Sequence, residues 1–184
     1  DYHGTMEYLA RGREKREDVQ KILPGARSVI VVGKIYNTDK PYSTVAARKK
    51  SQGWISRYAW GNDYHQILLK KLKELAQFIR EDLGIASDSD STAMKAYVDT
   101  GPILERLYGK YAGLGWIGKN TCLINEKMGS WFFLGEIITP FELAENDVPP
   151  PPDRCGSCIA CIEACPTDAL VKPYVLDANK CISY

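Results

Sequence analysis

No stretch of this 184-residue sequence stays apolar for the roughly 20 residues that a membrane helix needs. The longest candidate, Trp131–Leu134 with Ile137–Ile138, is interrupted by Gly135 and Glu136, so no membrane span is predicted. A surplus of charge is missing as well. The net charge of +1 leaves no global basic field for nucleic acid, and any RNA contact has to come from a local cluster of Lys and Arg. The N-terminus has no signal peptide, which predicts a cytoplasmic location. No Gly-x-Gly-x-x-Gly follows a strand and no Walker loop occurs, which argues against a Rossmann dinucleotide site and a P-loop. The chain also lacks an initiator Met, and Tyr184 follows closely on a cysteine; both read as part of a longer chain.

What is present is an ordinary globular composition, 45% hydrophobic and 26% charged, at a length that suits one buried domain and a small appendage. The proline tract Pro149–Pro152 divides the two, predicting a main domain over 1–148 and an appendage over 149–184. Within the main domain, Glu17–Leu23 reads as a short helix. Ser28–Tyr36, rich in Val and Ile, reads as a central strand of the sheet. The stretch from Asn37 to Trp60 has no clean period and reads as an irregular functional loop. Leu68, Leu72, Leu75, Ile79 and Leu83 recur at spacings of three and four, which predicts a long helix with Asn62 or Asp63 as its cap. Ser87–Thr92 is a polar loop, Met94–Val98 a strand, and Pro102 opens a helix running to about Ala112. Glycines at 113, 115 and 118 exclude a stable helix, and backbone passing close to something flat or bulky accounts for them. Thr121–Ile124 and Trp131–Thr139 read as strands joined by a turn at Asn125–Gly129. The fold class is α+β, helices packed on a mainly antiparallel sheet, followed by a partial ferredoxin-like module.

The six cysteines carry the sharpest signal. Cys155-x-x-Cys158-x-x-Cys161-x-x-x-Cys165-Pro166 is the bacterial ferredoxin run, in which three thiolates reach one 4Fe–4S cluster and the fourth ligates another. A zinc site is the alternative, but zinc usually takes two separated pairs and gives the Cys-Pro no role. Cys181 is the second cluster's next ligand. Three of four ligands for one cluster and two of four for the other leave three more cysteines expected after Tyr184. Cys122, in a strand among apolar neighbours, reads as a buried small hydrophobe. A ferredoxin-like appendage delivers electrons singly, so the main domain is expected to hold a cofactor.

Several motifs, in order, resemble epoxyqueuosine reductases. They are Gly4-Thr5-Met6-Glu7-Tyr8-Leu9, Leu23-Pro24-Gly25-Ala26-Arg27-Ser28-Val29-Ile30 and Arg57-Tyr58-Ala59-Trp60-Gly61-Asn62-Asp63-Tyr64-His65. Val98-Asp99-Thr100-Gly101-Pro102-Ile103-Leu104-Glu105-Arg106, Ala112-Gly113-Leu114-Gly115-Trp116-Ile117-Gly118-Lys119-Asn120-Thr121 and the ferredoxin run through Cys181-Ile182-Ser183-Tyr184 complete the set. The family's opening segment and second cysteine motif are absent from this stretch. The resemblance implies a nitroreductase-like, cobalamin-binding main domain, with the corrin reduced through two 4Fe–4S clusters fed by an unidentified low-potential electron donor. It implies an epoxide substrate on the wobble nucleoside of tRNA, whose oxygen leaves as water after two electrons and two protons are added.

By the same resemblance Asp99 is the proton donor, and Asp63, His65 and Arg106 face the substrate. Arg57, Tyr58, Gly113, Gly115, Trp116, Gly118 and Lys119 are assigned to the cofactor. Arg57, Tyr58, Trp60, Lys110 and Lys119 also mix cations with aromatics, which suits an unpaired anticodon loop. Read without the family, Asp99 and Asp63 are helix caps, His65 a solvated side chain, Arg106 half of a surface ion pair, and the glycine run a tight turn. Two rival functions fit the cysteines: another corrin-dependent reductase, such as a reductive dehalogenase, and a plain electron carrier. A carrier has no need of the polar set Asp63, His65, Asp99 and Arg106.

Overall fold

The computed structural model describes residues 2–46, 51–85, 93–144 and 149–184; the loop expected at Ser87–Thr92 lies outside them. Two short helices, α1 (Glu7–Arg11) and α2 (Arg13–Glu17), open the chain. In place of the helix expected over Glu17–Leu23, α2 ends at Glu17 and Asp18, whose carboxylate accepts the Gln20 N–H at 2.9 Å, starts a single 3₁₀ turn over Val19–Lys21. Strand β1 (Ser28–Ile35) and the one-turn α3 (Ser43–Ala46) follow, then the long helix α4 (Tyr64–Asp82). After it come β2 (Lys95–Tyr97), α5 (Glu105–Tyr111), β3 (Trp116–Ile117), β4 (Leu123–Ile124) and β5 (Phe132–Thr139). The tail contributes α6 (Ala160–Glu163), β6 (Leu170–Lys172) and β7 (Val175–Leu176).

The main sheet among the described residues is antiparallel with the order β1-β5-β2. The first strand was expected at the centre, but β5 holds it, because its sequence is the one that buries on both faces from Gly135 to Thr139. Strand β1 emerges toward Gly33, Lys34 and Ile35, which are exposed. Register runs from Ser28 opposite Thr139 to Ile35 opposite Phe132, and from Lys95 opposite Ile138 to Tyr97 opposite Glu136.

Strict alternation along β5 then sorts the core into two layers. Ile137 packs with Leu68, Leu72 and Ala76 of α4 and with Val98, while Ile138 packs with Ile22, Leu23, Ala26 and Ile103, next to Tyr97 and Tyr108. Each fully buried leucine of α4 contributes about 1.5–3 kcal/mol.

Two expected hairpin partners are exchanged. The strand ending at Ile124 pairs with Trp116–Ile117, and its turn closes on itself through the bridge between Asn125 and Gly129. The helix expected from Pro102 starts at Glu105, with Leu104 at its cap.

The cysteine module packs back on the main domain rather than trailing from it. Tyr174 N–H donates to Lys119 O at 3.0 Å, Ala178 N–H to Tyr2 O at 2.8 Å, and Arg154 pairs with Glu126 at 3.2 Å. No described helix is long and apolar enough to cross a membrane.

Candidate functional site

Asp99 stands where β2 runs out and the chain must turn to reach α5. Its φ of 56° lies in the left-handed region, which Asp tolerates better than most residues. The Thr100 N–H folds back to Val98 O at 2.6 Å, so buried Val98 anchors the turn while the neighbouring carboxyl projects outward. Because α5 begins six residues later, Asp99 is not a helix cap.

The residues around this carboxyl are arranged from three elements. Tyr64, first residue of α4, donates its hydroxyl to Asp99 Oδ2. His65 Nε2 lies 3.3 Å from the same oxygen, and its Nδ1 lies 2.8 Å from Asp63 Oδ1. Asp63 is the cap of α4, accepting the His65 N–H at 2.9 Å, and these bonds hold its carboxyl below the usual range. Cap and site therefore coincide: the helix start fixes the imidazole between two carboxyl groups. The Tyr64 ring stacks on Phe133 at 3.7 Å, and burial followed by the bond to Asp99 pushes its hydroxyl pKa up.

Asp99 opens into a cleft of about 300 Å³ shared with Tyr36, Tyr58, Glu105, Arg106 and Cys122. Tyr36, Tyr58, Tyr64 and Phe133 continue as one wall of a second hollow of about 270 Å³, which Ile35, Trp60 and Ile67 also line. Arg106 stays in this pocket, its Nη1 donating to Thr121 O at 2.6 Å. Cys122 is exposed at the rim, correcting its reading as a buried hydrophobe.

Of the other expected cofactor residues, Arg57 also lines the second hollow, and the rest line neither. The Arg57 guanidinium is buried, donates to Asn37 Oδ1, Thr38 O and Lys40 O, and lies 4.3 Å over the Tyr42 ring; it fastens the irregular loop. Gly113, at φ 81°, ends α5 in a Schellman motif, with its own N–H bonded to Lys110 O and the Leu114 N–H to Gly109 O. At Gly115 a Cβ would run into the Ile124 carbonyl, and at Gly118 into the Ile124 side chain. Backbone conformation at Gly113 and the backbone contact at Gly115 thus call for glycine within the chain itself, whereas at Gly118 the side-chain tips of Ile124 and Asn120 can move aside. Trp116 is half-buried, and its Nε1 has no hydrogen-bond partner. Lys119 reaches the cysteine loop, donating to Gly156 O at 2.6 Å and Cys158 O at 2.9 Å.

Two site residues escaped the sequence reading. Glu105 Oε1 accepts the Asp99 N–H at 2.6 Å, and Glu136 lies behind it on β5 with 0% exposure. The signal was a lone carboxylate inside the apolar strand Phe132–Thr139.

In the tail, Cys155, Cys161, Cys165 and Cys181 are half-buried and Cys158 exposed. Among the described residues no three candidate ligands converge as a single ion would require. Cys165 Sγ accepts the Ala169 N–H at 3.2 Å, and backbone donors led by Thr167 lower its pKa to about 7. A pocket set apart from a run of ferredoxin-spaced thiols defines an iron–sulfur protein, and a family model described as a 4Fe-4S double cluster binding domain matches residues 154–184.

A second model, described as epoxyqueuosine reductase QueG, DUF1730, matches residues 16–100. The epoxyqueuosine reductase of Gloeobacter violaceus is 50% identical over 100% of this chain and 53% of its own length; that of Synechocystis is 46% identical over 100% and 58%. A crystal structure of epoxyqueuosine reductase with an epoxyqueuosine-modified tRNA stem loop superposes with a TM-score of 0.75 at 36% identity, covering 92% of this chain and 43% of that one. The chain belongs to the epoxyqueuosine reductase family. It spans about half the length of the curated relatives it matches.

Proposed function

We propose that this chain forms the substrate pocket and the first cysteine module of an enzyme that reduces epoxyqueuosine to queuosine at the wobble position of tRNA. The observation that carries the reading is Asp99, a carboxyl with 45% side-chain exposure held on a left-handed turn at the mouth of an aromatic cleft. A protein that only carries electrons needs no such acid, and strained backbone of this kind clusters at functional sites.

The residues fit the two groups that the family implies. Flat apolar surface for a corrin is present in the exposed walls Tyr58, Ile35 and Ile67 of the second hollow. The glycine run is not needed for this fit. Cobalamin, when bound, supplies a strongly reducing, nucleophilic metal centre. The Cys165 N–H···S bond and the loop carbonyls held by Lys119 fit a 4Fe–4S site, with cysteines 155, 158 and 161 serving one cluster and 165 and 181 a second.

In the pocket, Asp99 gives a proton to the epoxide oxygen as the carbon–oxygen bond breaks, because an unprotonated alkoxide leaves poorly. Tyr64 and His65 fix the carboxyl's orientation, and Arg106 and Tyr58 border the space for the nucleoside. Exposed Tyr58 offers a face for base stacking. The test is conversion of epoxyqueuosine-tRNA by the intact, anaerobically reduced protein, read by nucleoside analysis. Product that depends on reductant, cobalamin and tRNA supports the proposal. Absence of product with both cofactors loaded overturns it.

A further inference from the structure

Glu136 is the least expected residue of the central strand. It is fully buried, and neither carboxyl oxygen accepts a hydrogen bond from a backbone, hydroxyl or cationic donor. Its cross-strand neighbours are Val31 and Tyr97. Glu105 couples to it by charge and by a carboxyl–carboxyl contact that only a shared proton can turn into a hydrogen bond, and Asp99 acts on both glutamates. No cation is among the groups that shift either carboxyl. An ionised carboxylate in such a place, out of water and without a cation, is strongly disfavoured, so the group keeps its proton instead. Two carboxyls this close cannot both ionise cheaply.

The arrangement is also directional. Glu105 lines the cleft beside Asp99, while Glu136 lies behind it in the sheet. We propose that Glu105 and Glu136 form a proton store that refills Asp99 between the two proton deliveries of one turnover. This rests on the reading of the pocket given above.

Opening the epoxide consumes one proton, from Asp99 in its acid form, as the first carbon–oxygen bond breaks. Glu105 then passes its proton to the Asp99 carboxylate, and Glu136 shares its remaining proton with Glu105. When the second carbon–oxygen bond breaks, Asp99 delivers that proton and oxygen leaves as water. The two electrons come from the reduced cofactor. Solvent returns two protons through the cleft, one to Asp99 and one to the pair. Glu105 and Glu136 act through Asp99 and are positioning residues.

Glu136→Gln in the intact protein tests this, since Gln copies the shape of the protonated acid. Infrared difference spectroscopy of the substrate-free protein should show a protonated-carboxyl carbonyl band that persists above neutral pH and disappears in E136Q. In single turnover on epoxyqueuosine-tRNA, E136Q should lose about tenfold near pH 8.5, less toward acidic pH, with tRNA affinity unchanged. If E136Q does not fold, Glu105→Gln is expected to give the same loss of the band and shift of the profile. A missing band in the parent, or a pH–rate profile that superposes on the parent's in the folded variant, overturns the store. Should the parent itself fail to turn over, the functional reading falls, while the infrared titration still decides whether the pair holds its proton.

Discussion

Asp99→Asn separates chemistry from architecture at the centre of the site. Asn and Asp are both enriched in the left-handed region, so the φ of 56° should survive the exchange. Asn retains one carbonyl oxygen for the Tyr64 hydroxyl and the same backbone N–H for Glu105. What it loses is the acid group and one carboxyl oxygen 3.3 Å from His65 Nε2, a contact between side chains 40% and 45% exposed and therefore worth no more than about 1 kcal/mol. The folded state should change by about that much or less. A positioned acid contributes about 10²–10⁴ in rate, which at 1.36 kcal/mol per decade is about 2.7–5.4 kcal/mol of barrier. Catalysis should therefore suffer far more than stability. The assay is single-turnover product formation on epoxyqueuosine-tRNA with pre-reduced protein, run beside thermal unfolding and tRNA binding. A rate within a few-fold of the parent would refute the general-acid assignment and leave the strained turn as structure alone.

Other outcomes follow from the packing and the charges. Leu72→Ala, at the buried centre of the α4 contact, should cost about 2–5 kcal/mol in denaturant unfolding. Gly115→Ala should destabilise the cofactor-free protein by about 1–3 kcal/mol, because the new methyl meets the Ile124 carbonyl; unchanged melting would return this glycine to the cofactor. Burial, then the charge of Asp99, raises Glu105 from 4.5 to about 7, and burial, then the charge of Glu105, raises Glu136 to about 9. The folded state thus binds more protons than the unfolded one, and stability should be fully present below the ordinary carboxylate range and fall as pH rises through about 7 to 9. Glu136→Gln should flatten that decline, and an unaltered slope would count against the raised pKa. Cys155→Ser should lower the iron content and abolish turnover while leaving cobalamin bound; normal iron and activity would remove the ligand assignment.

The elements that sequence revealed are those with a local cause. Helix α4 declares itself by the spacing of Leu68 and Leu72 and by Asp63 at its start, and the ferredoxin run by cysteine spacing alone. What stayed hidden depends on partners far along the chain. Sheet order is such a case: Val-rich β1 lies at an edge because β5, not β1, is hydrogen-bonded on both sides. Lys119, next to a glycine run assigned to a corrin, turns instead toward Gly156 and Cys158, a contact no local pattern announces. Asp63 shows a milder limit: cap and site partner were weighed as alternatives, and one carboxylate does both. Glu136 was visible only as an interruption, and its meaning needed the packing of α5 against β5.

The stitching of the cysteine module to residues 2–5 bears on the order of folding. The Tyr184 hydroxyl meets Thr5 across a sequence separation of 179, and Ala178 N–H is held by Tyr2 O. During synthesis Tyr2 and Thr5 emerge long before Ala178 and Tyr184 exist, so the segment that carries them waits, undocked, until the cysteine-bearing stretch leaves the ribosome. Contacts of such span are slow to close because the loop entropy comes first. Loading of iron on the cysteine module and settling of the segment around Tyr2 and Thr5 should therefore be late and linked, and a protease acting on nascent or iron-starved protein should reach that segment before the core of the domain.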